Sequence, residues 1–320
     1  MKICLIGPGC KPIPPNGWGA IESVIWDYYM NLKTEHEVTI LNNPNLREVI
    51  NQVNNTKYDI VHIMYDDHVI ITPHLLCKNI YYTSHYAYIT QDDFEKQQQW
   101  YFNNIFLQVI NNKDKLKLCV ISKEIKEVYI KYGFDENNIY VIHNGAREDV
   151  FEFHDNPKLQ YKSIYLAKIE ERKKQYLYQS IQNIDFVGNY HNSSFDVNNT
   201  NYIGEWSKIH LYSHLSHYGN LVLLSDGEAD PLVVKEALIC GLGVVVSEAA
   251  SANLDRTLAY ITVIPNNKLT DLQYITNEID NNRQISIENR VSIHEYGITN
   301  FSWKNVVNRY KGILTNTIYK

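Results

Sequence analysis

Lys2-Ile-Cys-Leu-Ile6, running straight into Gly7-Pro8-Gly9, is the stretch that decides the fold. Five apolar residues are too few for a helix and are stopped by glycine and proline, so they predict a buried strand that opens into a glycine loop. Directly beyond that loop, residues 19–32 carry Ile21, Val24, Ile25, Tyr28, Tyr29 and Leu32 at helical spacing. Strand, loop, helix is the first half of a parallel βαβ unit. The same alternation continues outward. Further strands are expected at 38–41, 59–64, 80–83 and 116–121, with residues 51–57 as a polar connector and one long helix at 92–110. The second half repeats the pattern. Strands at 163–166, 184–187, 221–224, 244–247 and 261–264 are separated by helical stretches near 173–182, 207–217, 231–240 and 269–279. Such alternation predicts parallel sheets covered on both faces. The polar stretch 152–162, with Pro157, reads as a linker. Two doubly wound α/β domains are therefore expected, 1–151 and 152–300, followed by a helix over 301–320. Ligands of such domains bind at the carboxyl ends of strands, which places the expected site in a cleft between the two.

Composition removes several classes. At 320 residues the chain is long enough for two domains, and 44% hydrophobic with 21% charged residues excludes a disordered protein. A net charge of -6 argues against a phosphate-holding nucleic-acid binder. Cys4, Cys10, Cys77, Cys119 and Cys240 form no CxxC pair and read as reduced thiols rather than a disulfide framework or zinc site. The apolar start is too short for a signal peptide, and no run of about 18 apolar residues spans a membrane, so a cytoplasmic location is expected.

Chemistry-bearing residues follow the predicted strands. After the first lies Pro14-Pro15-Asn16-Gly17-Trp18-Gly19-Ala20-Ile21-Glu22, where glycines and a helix start could admit a phosphate; a plain surface turn is the alternative. With Pro12 at the third position, no G-x-G-x-x-G exists, which disfavours a nicotinamide enzyme. After the strand at 221–224 comes Ser225-Asp-Gly-Glu228-Ala-Asp230-Pro231-Leu232-Val233, with Glu236 further on. Asp230 is expected as N-cap and Pro231 as the first helical residue. The run Lys168-Ile-Glu-Glu-Arg-Lys173-Lys174 gathers four cations at a predicted helix start, against the helix dipole, which hints at a bound anion. His85 follows the strand at 80–83, and Asn144-Gly145 reads as a turn at the domain boundary.

Taken in order, these segments resemble the retaining, nucleotide-sugar-dependent glycosyltransferases of the large family-four group, whose fold is GT-B. The resemblance rests on PPNGWGAIE at 14–22, CVISKEIKEVY at 119–129, VIHNGAREDVF at 141–151, Lys168-x(4)-Lys173, Glu228-x(7)-Glu236 and FSWKNVVNRY at 301–310, and it spans nearly the whole chain. It departs from the family at Lys168, where arginine is usual and where a bidentate fork is lost. It departs again at Asp230 and Pro231, which stand for an aromatic residue and a glycine; the proline removes one N–H.

The resemblance implies transfer of a sugar from a nucleoside diphosphate sugar, of UDP or GDP type, to a glycan, glycoprotein or lipid-linked hydroxyl with retained anomeric configuration. It implies that Gly17 and Gly19 approach the diphosphate and that Lys168 and Lys173 neutralise it. Glu236 takes the ribose hydroxyls. Glu228 and the backbone around Asp230, Pro231, Leu232 and Val233 contact the sugar, and His85 lies near the reacting centre. It also implies that the last helix packs back on the first domain. No metal or other cofactor is expected: no Asp-x-Asp pair follows a strand, and Tyr65-Asp66-Asp67-His68 is merely the nearest acidic cluster. No nucleic-acid partner and no transmembrane segment are expected, with peripheral membrane contact left open. A degenerate GT-B subunit that binds a glycan or partner enzyme is the alternative function.

Overall fold

The computed structural model describes residues 1–318. The chain divides into two compact units, Met1–Asn144 together with the segment from Trp303, and Gly145–Ser302. The first unit holds a six-stranded sheet in the order β2-β1-β3-β4-β5-β6. Its strands are β1 (Lys2–Ile6), β2 (Glu37–Leu41), β3 (Ile60–Ile63), β4 (Ile80–Tyr82), β5 (Leu116–Val120) and β6 (Ile139–Val141). The second unit holds a five-stranded sheet in the order β11-β10-β9-β7-β8. Those strands are β7 (Leu159–Leu166), β8 (Ile184–Val187), β9 (Tyr218–Leu223), β10 (Gly243–Ser247) and β11 (Ile261–Ile264). All strand pairings are parallel. The protein is thus an α/β protein built from two parallel sheets with helical crossovers, as the alternating pattern predicts.

Strand order fixes where each unit can hold a ligand. In the second unit the chain runs from β7 outward to β8 and then returns to β9 on the other side. The crevice between β7 and β9, at their carboxyl ends, is a topological switch point. In the first unit the same reversal falls between β1 and β3.

The structure differs from the sequence expectations at several elements. The supposed linker at 152–162 ends in strand: β7 begins at Leu159, because the polar residues Gln160 to Lys162 lie on an exposed stretch with a register shift against β9. The polar connector at 51–57 belongs mostly to a helix, Leu46–Asn55. Its signals were Asn45, whose side chain accepts from the amides of Arg47 and Glu48, and the buried pair Val49 and Val53 four residues apart. The long helix at 92–110 is broken into short turns, with a π-helical segment at Phe102–Phe106. Helix 173–182 shrinks to Gln175–Tyr178. Past 279 the chain stays helical through Leu272–Glu288 and Arg290–Phe301.

Arg290 anchors the second of these helices. It is buried without a carboxylate, and its guanidinium donates to the carbonyls of His154, Tyr218, Ser216 and Cys240 at 2.6–3.1 Å. Those acceptors lie in separate segments, so one side chain ties the helix to the start of β9 and to the turn before β10. Gly297, on the same helix, lets it approach closely; a Cβ there would stand 2.6 Å from the Ile239 amide nitrogen.

The helix Trp303–Ile318 belongs to the first unit although it ends the chain. Tyr310 is buried, and its hydroxyl lies 2.8 Å from Nδ1 of His62, whose Nε2 lies 2.7 Å from Thr83 Oγ1. Burial pushes the His62 pKa down to about 3, so the ring is neutral and bridges β3, β4 and the last helix. Tyr28 packs its ring edge-on against both Trp303 and Tyr310. Replacing Tyr310 by Phe keeps the shape and strands one His62 nitrogen in the core. The expected cost is about 1–3 kcal/mol, read as a lower urea midpoint with an unchanged slope. An unchanged midpoint would show that this bridge contributes nothing.

Candidate functional site at the switch point of the second unit

The loops after β7 and β9 are joined by a single hydroxyl. Tyr165, near the end of β7, is fully buried; its OH donates to the carbonyl of Lys173 at 2.6 Å and accepts from the amide of Leu224 at 2.8 Å. The Asp226 amide adds a bond to the carbonyl of Arg172 at 2.9 Å. Gly188, just past β8, closes the third side. Its φ of +155° and a virtual Cβ only 1.8 Å from the Ala167 carbonyl oxygen require glycine, because the two backbones touch next to Lys168.

A charge cluster sits on this frame. Oε1 of Glu228 accepts from Ser225 Oγ at 2.7 Å, forms an ion pair with the Lys173 ammonium and lies 3.4 Å from Arg172 Nη1. Lys173 is buried, and that burial pushes its pKa down while Glu228 pulls it back up. The Arg172 guanidinium also donates to the Gly227 carbonyl and, at 2.9 Å, to Glu170. Lys168 is half-exposed, 3.3 Å from Glu170. Burial works against the Glu170 charge, yet Arg172 and Lys168 together hold its carboxyl below the usual range. Lys174, in a left-handed conformation, pairs with Asp226 at 2.9 Å. The cations expected to signal an anion are therefore each matched to a carboxylate. The group Lys168, Arg172, Lys173, Glu170 and Glu228 still keeps one more cation than carboxylates.

The helix Leu232–Ile239 starts one residue later than expected. Pro231 is its N-cap, and Asp230 makes no cap bond. Instead Asp230 forms an ion pair with Lys235, both side chains wholly buried; Lys235 also lies over the Phe301 ring. A carboxylate turned toward a lysine one turn along the helix cannot also reach back to the first amides. The amides at the helix start point out of the helix, as in any helix, and form the positive end of its dipole. Glu236 follows one turn further on. Its surroundings raise its pKa to about 7, chiefly by burial, with Lys208 opposing. Lys168, Lys173, Glu228, Asp230, Pro231, Leu232, Val233 and Glu236 thus all belong to the loops and the helix at one switch point. Arg172, Ser225, Tyr165 and Lys235 complete it. Lys235 had left a trace in the sequence, as the lone cation in the apolar run Leu232-Val-Val-Lys-Glu-Ala-Leu-Ile239.

In the first unit, Gly17 and Gly19 lie on the loop between β1 and the helix Ala20–Leu32. A side chain at Gly17 would meet nothing, whereas a Cβ at Gly19, the helix N-cap, would press on the Glu22 carboxylate at 2.6 Å. Local packing therefore does not explain glycine at 17. His85 lies just beyond β4, half-buried. Asp66 is held by the hydroxyls of Tyr82 and Tyr101, the second at 2.8 Å. Among the described residues no three His, Cys, Asp or Glu side chains converge to hold a metal, and no helix is long and apolar enough to cross a membrane.

Two parallel Rossmann-like sheets, each with its loops gathered at a switch point, define the GT-B class. Residues 18–150 match the family model described as Glycosyltransferase Family 4, and by that domain and this fold the chain is placed among the family-four GT-B glycosyltransferases. Among solved structures it is similar to Anabaena Alr3699/HepE in complex with UDP and glucose, with 13% identity, 99% of this chain and 100% of that chain covered, and a TM-score of 0.75. Sucrose-phosphate synthase from Thermosynechococcus elongatus is similar at 14% identity, covering 99% of each chain, with a TM-score of 0.71. AviGT4, a glycosyltransferase involved in Avilamycin A biosynthesis, is similar at 13% identity over 99% of this chain and 98% of that one, with a TM-score of 0.69. No curated protein matches the sequence.

The buried Asp230–Lys235 pair yields a direct test. Asp230→Ala leaves an ammonium in the core and should cost about 3–5 kcal/mol, while the double change Asp230→Leu with Lys235→Met should recover most of it. Denaturant unfolding of the three variants reads the coupling. Additive losses would mean that the pair does not act as a unit.

Proposed function

We propose that this protein transfers a sugar from a nucleoside diphosphate donor, UDP-linked in the first instance, to a hydroxyl acceptor on a glycan, glycoprotein or lipid carrier, with retention at the anomeric carbon and without a metal. The observation that carries this is the convergence of Lys173, Glu228 and the start of the Leu232–Ile239 helix at one switch point. The solved relative that carries UDP and glucose supports the choice of donor.

The chemistry follows from charge. As the C1–O bond breaks, both electrons move to the departing diphosphate. Lys173 and Lys168 offset that charge, as a metal ion does in other transferases. The acceptor oxygen bonds C1 from the face the diphosphate leaves, and its proton passes to the departing phosphate oxygen. Glu228, already fixed through one oxygen by Ser225 and Lys173, offers its other oxygen to a sugar hydroxyl. Gly17 and Gly19 bring backbone toward the diphosphate, the amides of Leu232 and Val233 toward the sugar, and His85 lies near the acceptor. Asp230, neutralised by Lys235, acts through the backbone it positions. Glu236 accepts the ribose hydroxyls.

The last role has a pH signature. With its pKa raised to about 7 in the free protein, Glu236 is partly protonated at neutral pH and needs to ionise to accept two hydroxyls. Affinity for UDP-glucose should be full above pH 7 and fall as pH drops below it. Calorimetry at pH 6.5 in buffers of different ionisation enthalpy should report proton release, absent in Glu236→Gln. A pH-independent affinity would remove Glu236 from the ribose site. Transfer activity should also survive excess chelator; a loss that only Mn or Mg restores would overturn the metal-free mechanism. Binding without hydrolysis or transfer to any hydroxyl would instead favour a degenerate, glycan-binding subunit.

A further inference from the structure

We propose that Arg172, rather than Lys168, supplies the guanidinium fork for the donor diphosphate. This rests on the donor-site function proposed above. The family pattern puts an arginine where this chain has Lys168, so the expected fork is missing from its expected place. Lys168 is 52% exposed at its side chain and reaches the charge cluster through Glu170. Arg172 stands beside Lys173 in the same turn, and both side chains converge on Glu228.

The geometry at Arg172 is that of a pre-aimed fork. Nη1 is held by the Gly227 carbonyl and Nη2 by Glu170, so the guanidinium plane is fixed from two sides before any ligand arrives. Both fixing groups belong to the loops that flank the switch point. The side chain keeps 28% of its surface exposed, against 11% for Lys173. A guanidinium carries five N–H donors in one plane and matches two phosphate oxygens at once, which an ammonium cannot do. A diphosphate entering beside Lys173 meets a site holding one more cation than carboxylates, and it displaces Glu228 and Glu170 from cations they already share. The two acids therefore act as place-holders that keep Arg172 and Lys173 extended and desolvated in the empty site.

The test compares UDP with uridine, because the fork touches only the diphosphate. Arg172→Lys keeps the charge and loses the fork. It should weaken UDP binding roughly ten- to a hundred-fold, the worth of one charge-assisted hydrogen bond. Uridine affinity and the melting temperature should stay unchanged. Lys168→Arg alone should leave UDP affinity unchanged, and the double variant Lys168→Arg with Arg172→Lys should stay as weak as Arg172→Lys. Recovery in the double variant would return the fork to position 168 and overturn the proposal. Equal weakening of uridine and UDP in Arg172→Lys would make Arg172 a clamp on the Gly227 loop and overturn it as well. Lys173→Ala separates the two levels. If it weakens UDP while Arg172→Lys does not, only the assignment of Arg172 fails; if wild type binds no UDP or Lys173→Ala is silent, the donor site fails with it.

Discussion

One phenol holds the candidate site together. The Tyr165 hydroxyl bonds at once to the Lys173 carbonyl and the Leu224 amide, so the loop after β7 cannot move without the loop after β9. Everything charged in the site hangs on those two loops: Arg172, Lys173 and Glu170 on one, Ser225, Asp226 and Glu228 on the other. Burial raises the pKa of this phenol well above its ordinary range, so it stays neutral and keeps both roles at every working pH. Loops that carry function are usually mobile; here a backbone-to-phenol-to-backbone bridge makes them part of the sheet's frame.

The second constraint is electrostatic. Ionised groups leave water at a cost unless they are paired, and the site pairs them in two distinct ways. Asp230 and Lys235 are sealed in the core and hold the Leu232–Ile239 helix in position. Lys173 and Glu228 are paired at the edge of the site, where an incoming anion can compete for the cation. The same chemical bond is thus structural in one place and exchangeable a few residues away, and burial alone distinguishes them. The first unit uses a neutral counterpart: His62, kept uncharged by burial, accepts and donates between β3, β4 and the final helix.

Much of this was legible in the chain. Apolar runs of four to six residues, each ended by a polar or glycine-bearing loop, determined the strands, since a buried parallel strand needs no alternation. Their alternation with helical spacing determined the α/β class and both sheets. The residues Lys168, Lys173, Glu228 and Glu236 were readable because ligand chemistry in such folds sits directly after strands. The helix at Leu46–Asn55 was missed because its apolar face is two valines wide, and the start of β7 because an exposed strand end carries polar residues.

Tertiary structure decided what each charge does. Sequence placed Asp230 at a helix start, where an N-cap is the local optimum, and the buried Lys235 outbid the helix amides for it because a charge in the core needs a counter-charge more than a helix needs a cap. Sequence counted Arg172 among four cations and could not rank it; only the approach of the β9 loop, which brings the Gly227 carbonyl and Glu228 to its guanidinium, does so. Local pattern fixes which residues lie on strands, helices and loops, because backbone preference and burial act over a few positions. Which carboxylate meets which cation is set by contacts about 55 residues apart, and those exist only once β7 and β9 lie side by side.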